Sequence, residues 1–237
     1  MFEVVIQLGA ILAVVILFWN QIWPFGKKDN KEPLAKTGAG AYIKWDIFKL
    51  WFHILVSCVP AAIVGVLFDE QLEALFYNYQ TVAVTLILYG VLFIVVENYN
   101  KNRRPRTRKL ETLPWSTALL IGVFQILALI PGTSRSGSTI LGAILLGCSR
   151  SVAAEFSFFL SIPVMFGASL LKLLKFGLHF TGYEAAILLV GMVTAFVVSI
   201  LAIKFLMGYI KKNNFKPFGY YRIALGVLVL AYFIFLG

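Results

Sequence analysis

Apolar residues in this chain come in long unbroken runs, not at the alternating or three-to-four spacing of half-buried elements. Five such runs cover residues 2–19, 50–68, 81–96, 185–206 and 220–236. Each approaches or exceeds the length that crosses a hydrocarbon core of about 30 Å, which takes about 20 helical residues. A sixth run, 152–174, carries Glu155, Pro163 and Gly167, but membrane helices tolerate Pro and Gly where neighbours satisfy the freed backbone groups. The pattern predicts an all-α integral membrane protein with about six spanning helices. One stretch breaks the rule: 115–130 is apolar, 131–139 is polar, and only the short run 140–147 follows.

Composition agrees with a lipid solvent. Apolar residues make up 60% of the 237, charged residues only 14%, far outside the soluble range. The length leaves no room for a separate soluble domain, so a single transmembrane domain is expected over 1–237. No cleavable leader is visible, because the apolar run begins directly after Met1. Cys58 and Cys148 lie in or beside apolar runs with no metal-ligand neighbourhood and read as small core residues.

The net charge of +10 does not mark a nucleic-acid partner, because the basic residues fall in short connections, where they indicate the cytoplasmic side. Residues 26–49 carry Lys27, Lys28, Lys31, Lys36, Lys44 and Lys49, and residues 98–113 carry Lys101, Arg103, Arg104, Arg106, Arg108 and Lys109. The second group is expected to meet anionic headgroups. Between these connections, Asp69, Glu70 and Glu73 face outward. The stretch 204–222, with Lys211, Lys212, Lys216 and Arg222, is again cytoplasmic. Counting spans back from there puts Ser149, Arg150 and Ser151 on the cytoplasmic side as well. Residues 115–147 therefore enter and leave by one face, as a re-entrant helical hairpin with its polar turn at depth. Such backbone survives only buried in protein or lining a wet cavity.

The turn reads Pro131-Gly132-Thr133-Ser134-Arg135-Ser136-Gly137-Ser138-Thr139. Glycines let backbone N–H groups approach an anion, the hydroxyls add donors, and Arg135 offers a planar fork matched to phosphate oxygens. A helix starting near Ser138 or Thr139 would add its N-terminal amides. The bland alternative is a helix-breaking loop whose Arg135 pairs with a structural carboxylate, but an ionisable group at membrane depth is a functional candidate by default. The nucleotide P-loop spacing is absent. Glu155, a lone carboxylate in an apolar helix close in sequence to the turn, is a supporting candidate that could pair with Arg135. His53 and His179 lack metal-ligand partners and read as structural. Trp19, Trp23, Trp45, Trp51 and Trp115 suit interfacial belts.

An internal echo is also present. Phe2-Glu3-Val4-Val5-Ile6-Gln7 leads a run just as Ala154-Glu155-Phe156-Ser157-Phe158-Phe159 does, and two further spans follow each. The charge pattern gives the two sets opposite directions, so the chain reads as an inverted repeat, with 1–110 an incomplete first copy and 111–237 the second. Inverted repeats hold their sites near the midplane.

Together, the 131–139 turn, the segments Phe2 to Gly9 and Ala154 to Phe158, and the stretch from Ala195 to Arg222 resemble the bacterial undecaprenyl-diphosphatases of the bacitracin-resistance type, whose signature is Pro-Gly-x-Ser-Arg-Ser-Gly-x-Thr. The resemblance covers the whole chain. It implies hydrolysis of a C55 polyprenyl diphosphate to the monophosphate, recycling the lipid carrier for cell-wall synthesis in the bacterial cell membrane, with a divalent cation (Mg or Ca) as cofactor and an active site toward the outer face. It assigns catalysis to Ser134, Arg135 and Thr139, and it makes Gly132, Thr133, Ser136 and Gly137 phosphate-binding. The family's first signature, Glu-rich and ending in Ser-Ser-Thr-Gly-His, has no counterpart here, so the sequence reads as a fragment. Glu3 and Gln7 do not replace it. The expected partners are the polyprenyl diphosphate and membrane lipids, with self-association left open. The competing function is a transporter or flippase for a phospholipid or anion on the same fold. A protein of purely structural purpose is the third.

Overall fold

The computed structural model describes residues 2–26, 30, 32–35, 37–176 and 182–235. His179 and the basic residues Lys27, Lys28, Lys31 and Lys36 lie outside the described residues, as does the side chain of Glu3. The described chain is helical: α1 (Phe2–Leu17), α2 (Trp19–Ile22), α3 (Trp45–Phe76), α4 (Tyr79–Asn100), α5 (Trp115–Ile126), α6 (Arg135–Leu145), α7 (Arg150–Phe176), α8 (Gly182–Ile210) and α9 (Lys216–Phe235), with short 3-10 turns at Gly38–Tyr42, Leu110–Thr112 and Leu127–Leu129.

Among the described residues, five segments are long and apolar enough to cross a membrane: Trp45–Phe68, Tyr79–Asn100, Arg150–Leu170, Gly182–Ile210 and Lys216–Phe235. Two more, Val5–Leu17 and Trp115–Leu129, are apolar but shorter. The first run of the sequence is divided, with α1 ending at Leu17 and α2 starting at Trp19. Large apolar side chains such as Val66 and Phe235 are 83% and 81% exposed, as expected where lipid is the solvent.

The helices group into two compact units interleaved in sequence: residues 1–55 with 158–208, and 56–157 with 209–237. In the first unit, Gly9 of α1 meets the backbone of Met192 in α8, where a Cβ would collide with the Met192 carbonyl. Trp51 donates its indole N–H to the Ile22 carbonyl at 2.8 Å, and Trp19 stacks on Trp23 with ring centroids 4.6 Å apart. His53 sits buried with Nδ1 2.6 Å from the Lys49 carbonyl oxygen, the structural role its sequence context suggests.

The second unit is built on an antiparallel pair, α4 and α9. Glu97 pairs in level with Phe215, Gly90 with Gly219, Ala83 with Gly226, and Tyr79 with Phe233. At the crossing the backbones nearly touch: a Cβ on Gly90 would lie 2.7 Å from the Gly219 carbonyl oxygen, and one on Gly219 2.6 Å from that of Gly90. Where lipid removes the hydrophobic drive between helices, close approach through small residues supplies the packing contacts instead.

Candidate functional site

The break in the sequence at Pro131 forms the tip of a helical hairpin. α5 runs 12 residues and α6 runs 11, so each arm is only about 17 Å long. Gly142 of α6 accepts the ring of Phe124, a site where a Cβ would collide with Phe124 Cγ. Gly122 of α5 lies against the backbone of Ser57 in α3, whose hydroxyl donates to the Ala118 carbonyl at 2.6 Å.

Both open ends of the hairpin meet. The amides of Arg106 and Thr107 donate to the Gly147 carbonyl at 2.8 and 3.1 Å, and the Ser149 amide donates back to the Thr107 carbonyl at 2.8 Å. Residues just before α5 are thereby bonded to residues just after α6, so the chain enters and leaves at one end. This is the geometry the charge pattern requires.

At the other end the turn is bonded to α4 and α9. Thr85 donates its hydroxyl to the Pro131 carbonyl at 2.8 Å, and Arg222 donates through Nη2 to the Gly132 carbonyl at 2.7 Å. Gly132 has φ +80, a left-handed value that suits glycine, and its Cα faces the Val82 backbone closely enough to exclude a side chain. Thr85 is the seventh residue of a 22-residue helix, which puts the turn about 9 Å in from the end of α4 that the acidic connection marks as outer.

From Ser134 the chain becomes a helix. Ser134 is the N-cap of α6, and its Oγ accepts the Gly137 amide at 3.1 Å while its carbonyl accepts the Ser138 amide at 2.9 Å. The Ser138 bond is the first within the helix, and of the four amides that precede it the cap satisfies that of Gly137. The Ser134 hydroxyl, having accepted, keeps its own proton to donate. Arg135, the first helical residue, lies beside Cys58 of α3. Thr133 and Gly137 are buried, and Ser136 is partly exposed.

Two of the expected residues have partners of their own. Thr139 is 1% exposed, donates to the Arg135 carbonyl at 3.0 Å and shares a 2.8 Å hydrogen bond with the buried Ser157 hydroxyl, which joins α6 to α7. Glu155 has Lys211 and Glu111 as its charged neighbours.

Two residues here escape a reading of the sequence. Arg222, counted above with the cytoplasmic charges, stands in α9 beside Gly132, with its guanidinium 5.8 Å from the Tyr89 ring centroid. The available signal was a lone arginine seven residues into an apolar helix. Gln125, in the last turn of α5, is 2% exposed, and neither atom of its amide finds a protein partner among the described residues. A buried orphan amide is costly and rare in native structures, and this one lies six residues ahead of the turn.

The donor set is anion-selective. Arg135 and Arg222 bring positive charge to the turn, and among the described residues no group of three His, Cys, Asp or Glu side chains could hold a metal ion. The described residues around the turn thus supply hydroxyls and cations, a set that suits an anion, and no carboxylate set for a divalent cation.

The chain is similar to known proteins over nearly its whole length. The model of the family described as bacitracin resistance protein BacA matches residues 1–228. The chain is 61% identical over 234 residues to an undecaprenyl-diphosphatase of Desulfitobacterium hafniense, covering 98% of this chain and 81% of that protein. It is 61% identical to one of Acetivibrio thermocellus, with 99% and 82% covered, and 57% identical to one of Enterococcus faecalis, with 97% and 80% covered.

Proposed function

The chain belongs to the bacitracin-resistance protein family BacA, and from that membership we propose that it hydrolyses undecaprenyl diphosphate to undecaprenyl phosphate and inorganic phosphate, with the 131–139 turn as the cradle of the terminal phosphate. It is a multi-pass membrane protein, and its substrate is a membrane lipid. The reaction returns the lipid carrier to cell-wall synthesis.

One water is consumed. Its oxygen bonds to the terminal phosphorus, the bond from that phosphorus to the bridging oxygen breaks, and the protons of the water end on the two phosphate products. Such transfers need little covalent help from protein and much charge stabilisation. Arg135 is suited to neutralise the oxygens of the departing phosphate. The Ser134 hydroxyl and the Ser136 amide can donate to the same oxygens. Gly132, Thr133 and Gly137 shape the backbone around them, and Thr139, through Ser157, fixes the angle at which α6 presents them.

The observation that carries this reading is the start of α6: a capped helix N-terminus, a guanidinium at its first position, and a turn bonded on both sides by Thr85 and Arg222. The test is phosphate release from polyprenyl diphosphate by purified protein. Arg135→Ala is expected to lower the rate by about 10²–10³, with Arg135→Lys recovering part of it. Unchanged release in Arg135→Ala would remove the turn from the reaction.

A further inference from the structure

At the open end of the hairpin lies a second basic feature, a cavity of about 400 Å³ with no role in the chemistry above. Its lining includes Lys101, Arg103, Arg104 and Arg106 from the strap before α5, Arg150 at the start of α7, and Lys211 after α8. The lining carboxylate is Glu97, which is 3% exposed and already committed: it accepts from Arg150 Nε at 2.9 Å and from the Phe215 amide at 3.0 Å. Lys211 also faces Glu155. The balance inside the cavity remains strongly positive.

The cavity is built rather than a chance cluster of surface charge. Its strap is bonded to Gly147 and Ser149 through the backbone of Arg106 and Thr107, and the Arg103 guanidinium lies 3.7 Å over the Tyr99 ring. It is also separate from the turn: Glu97 and Thr85 are twelve residues apart on α4, about 18 Å along the helix. Part of its wall is apolar, formed by Ile144, Leu145, Leu146 and Ile210.

We propose that this cavity binds the phosphodiester headgroup of an anionic lipid from the cytoplasmic leaflet. The arginine forks match phosphate oxygens. The apolar wall suits the glycerol and ester carbons that follow a lipid phosphate, and its size exceeds what a free phosphate fills. The positive connections put it at the cytoplasmic surface, where such lipids concentrate.

The test uses the full chain in detergent, titrated with phosphatidylglycerol or phosphatidylcholine, with retained lipid read by native mass spectrometry. Two double variants remove equal charge from one strap: Arg103→Gln with Arg104→Gln, which line the cavity, and Arg108→Gln with Lys109→Gln, which do not. The lining pair is expected to weaken phosphatidylglycerol binding about ten- to thirty-fold, with the second pair near wild type and phosphatidylcholine unaffected throughout. Hydrolysis in the lining pair should stay at the wild-type rate. Should that pair fail to elute as a single species, Lys101→Gln, on an exposed residue, is expected to give about a five-fold loss alone. Equal losses in both pairs, or no preference for phosphatidylglycerol, would overturn the site as a generic charge effect. Displacement of the lipid by millimolar inorganic phosphate would overturn the headgroup assignment in favour of the free anion.

Discussion

Replacing Gly132 by Ala tests how the turn is held. The substitution has two costs that can be separated. The first is conformational: at φ +80 a residue with a Cβ costs about 1–2 kcal/mol. The second is steric, since the new methyl would lie 2.6 Å from the Val82 carbonyl oxygen, 2.8 Å from Val82 Cα, and against the Thr85 hydroxyl. Helix backbone cannot move aside as a side-chain tip can, so overpacking of about 1–3 kcal/mol is expected. Gly147 is the control. It has φ +92, but its Cβ would meet nothing closer than the Arg106 side chain at 3.5 Å, an ordinary contact.

Gly147→Ala should therefore show the conformational cost alone, and the difference between the two variants should be about 1–3 kcal/mol, read as thermal unfolding in detergent. Activity should separate them further. If the turn relieves the collision by moving off α4, it loses the bonds from Thr85 and Arg222 and shifts Ser134 and Arg135 with it, and a displacement near 1 Å costs about 10² in rate. Gly147→Ala should retain near wild-type phosphate release. Equal destabilisation in the two variants, or a fully active Gly132→Ala protein, would refute close packing on α4 as the device that aligns the site.

Three further outcomes follow from the same geometry. Glu97→Leu leaves Arg150 and the Phe215 amide without their acceptor and should cost about 3 kcal/mol, the low end for a broken buried pair because the Arg150 side chain is 40% exposed; thermal unfolding reads it, and a loss below about 1 kcal/mol would make the pair ornamental. Thr139→Val should lower stability by about 1 kcal/mol and reduce phosphate release only modestly, whereas Thr139→Ser, which keeps the bond to Ser157, should restore it; a loss as deep as that of Arg135→Ala would instead give the hydroxyl a direct part in the chemistry. Burial pushes the Cys148 thiol up to about 11, with Thr107 opposing in part, so maleimide labelling at pH 8 should be slow until the protein unfolds. The same shift makes stability fall as pH rises from 9 to 11, where the unfolded thiol ionises and the native one does not, and Cys148→Ser should flatten that slope.

Much of the architecture was legible because lipid enforces simple rules. Run length gave five of the six expected spans among the described residues, and the parity of basic connections required 115–147 to return to its own side, which the bonds between Thr107, Gly147 and Ser149 bear out. The helix-breaking turn was legible from the glycines and hydroxyls packed into nine residues, although α6 starts at Arg135 and not at Ser138 or Thr139. What escaped depended on helices meeting across long separations in sequence. Arg222 is 90 residues from Gly132, and near a basic connection its charge looked interfacial. Gln125 is a single amide inside an apolar run. The partners of Thr139 and Glu155, Ser157 and Lys211, are likewise named by no local pattern.

The bonds at the two ends of α4 also make that helix a spacer. One end holds the turn through Val82 and Thr85, and the other holds the open end of the hairpin through Glu97 and Arg150. Thr85 and Glu97 stand about 18 Å apart along the helix, so neither the tip nor the open end of the hairpin can slide along α4 without giving up a bond to it.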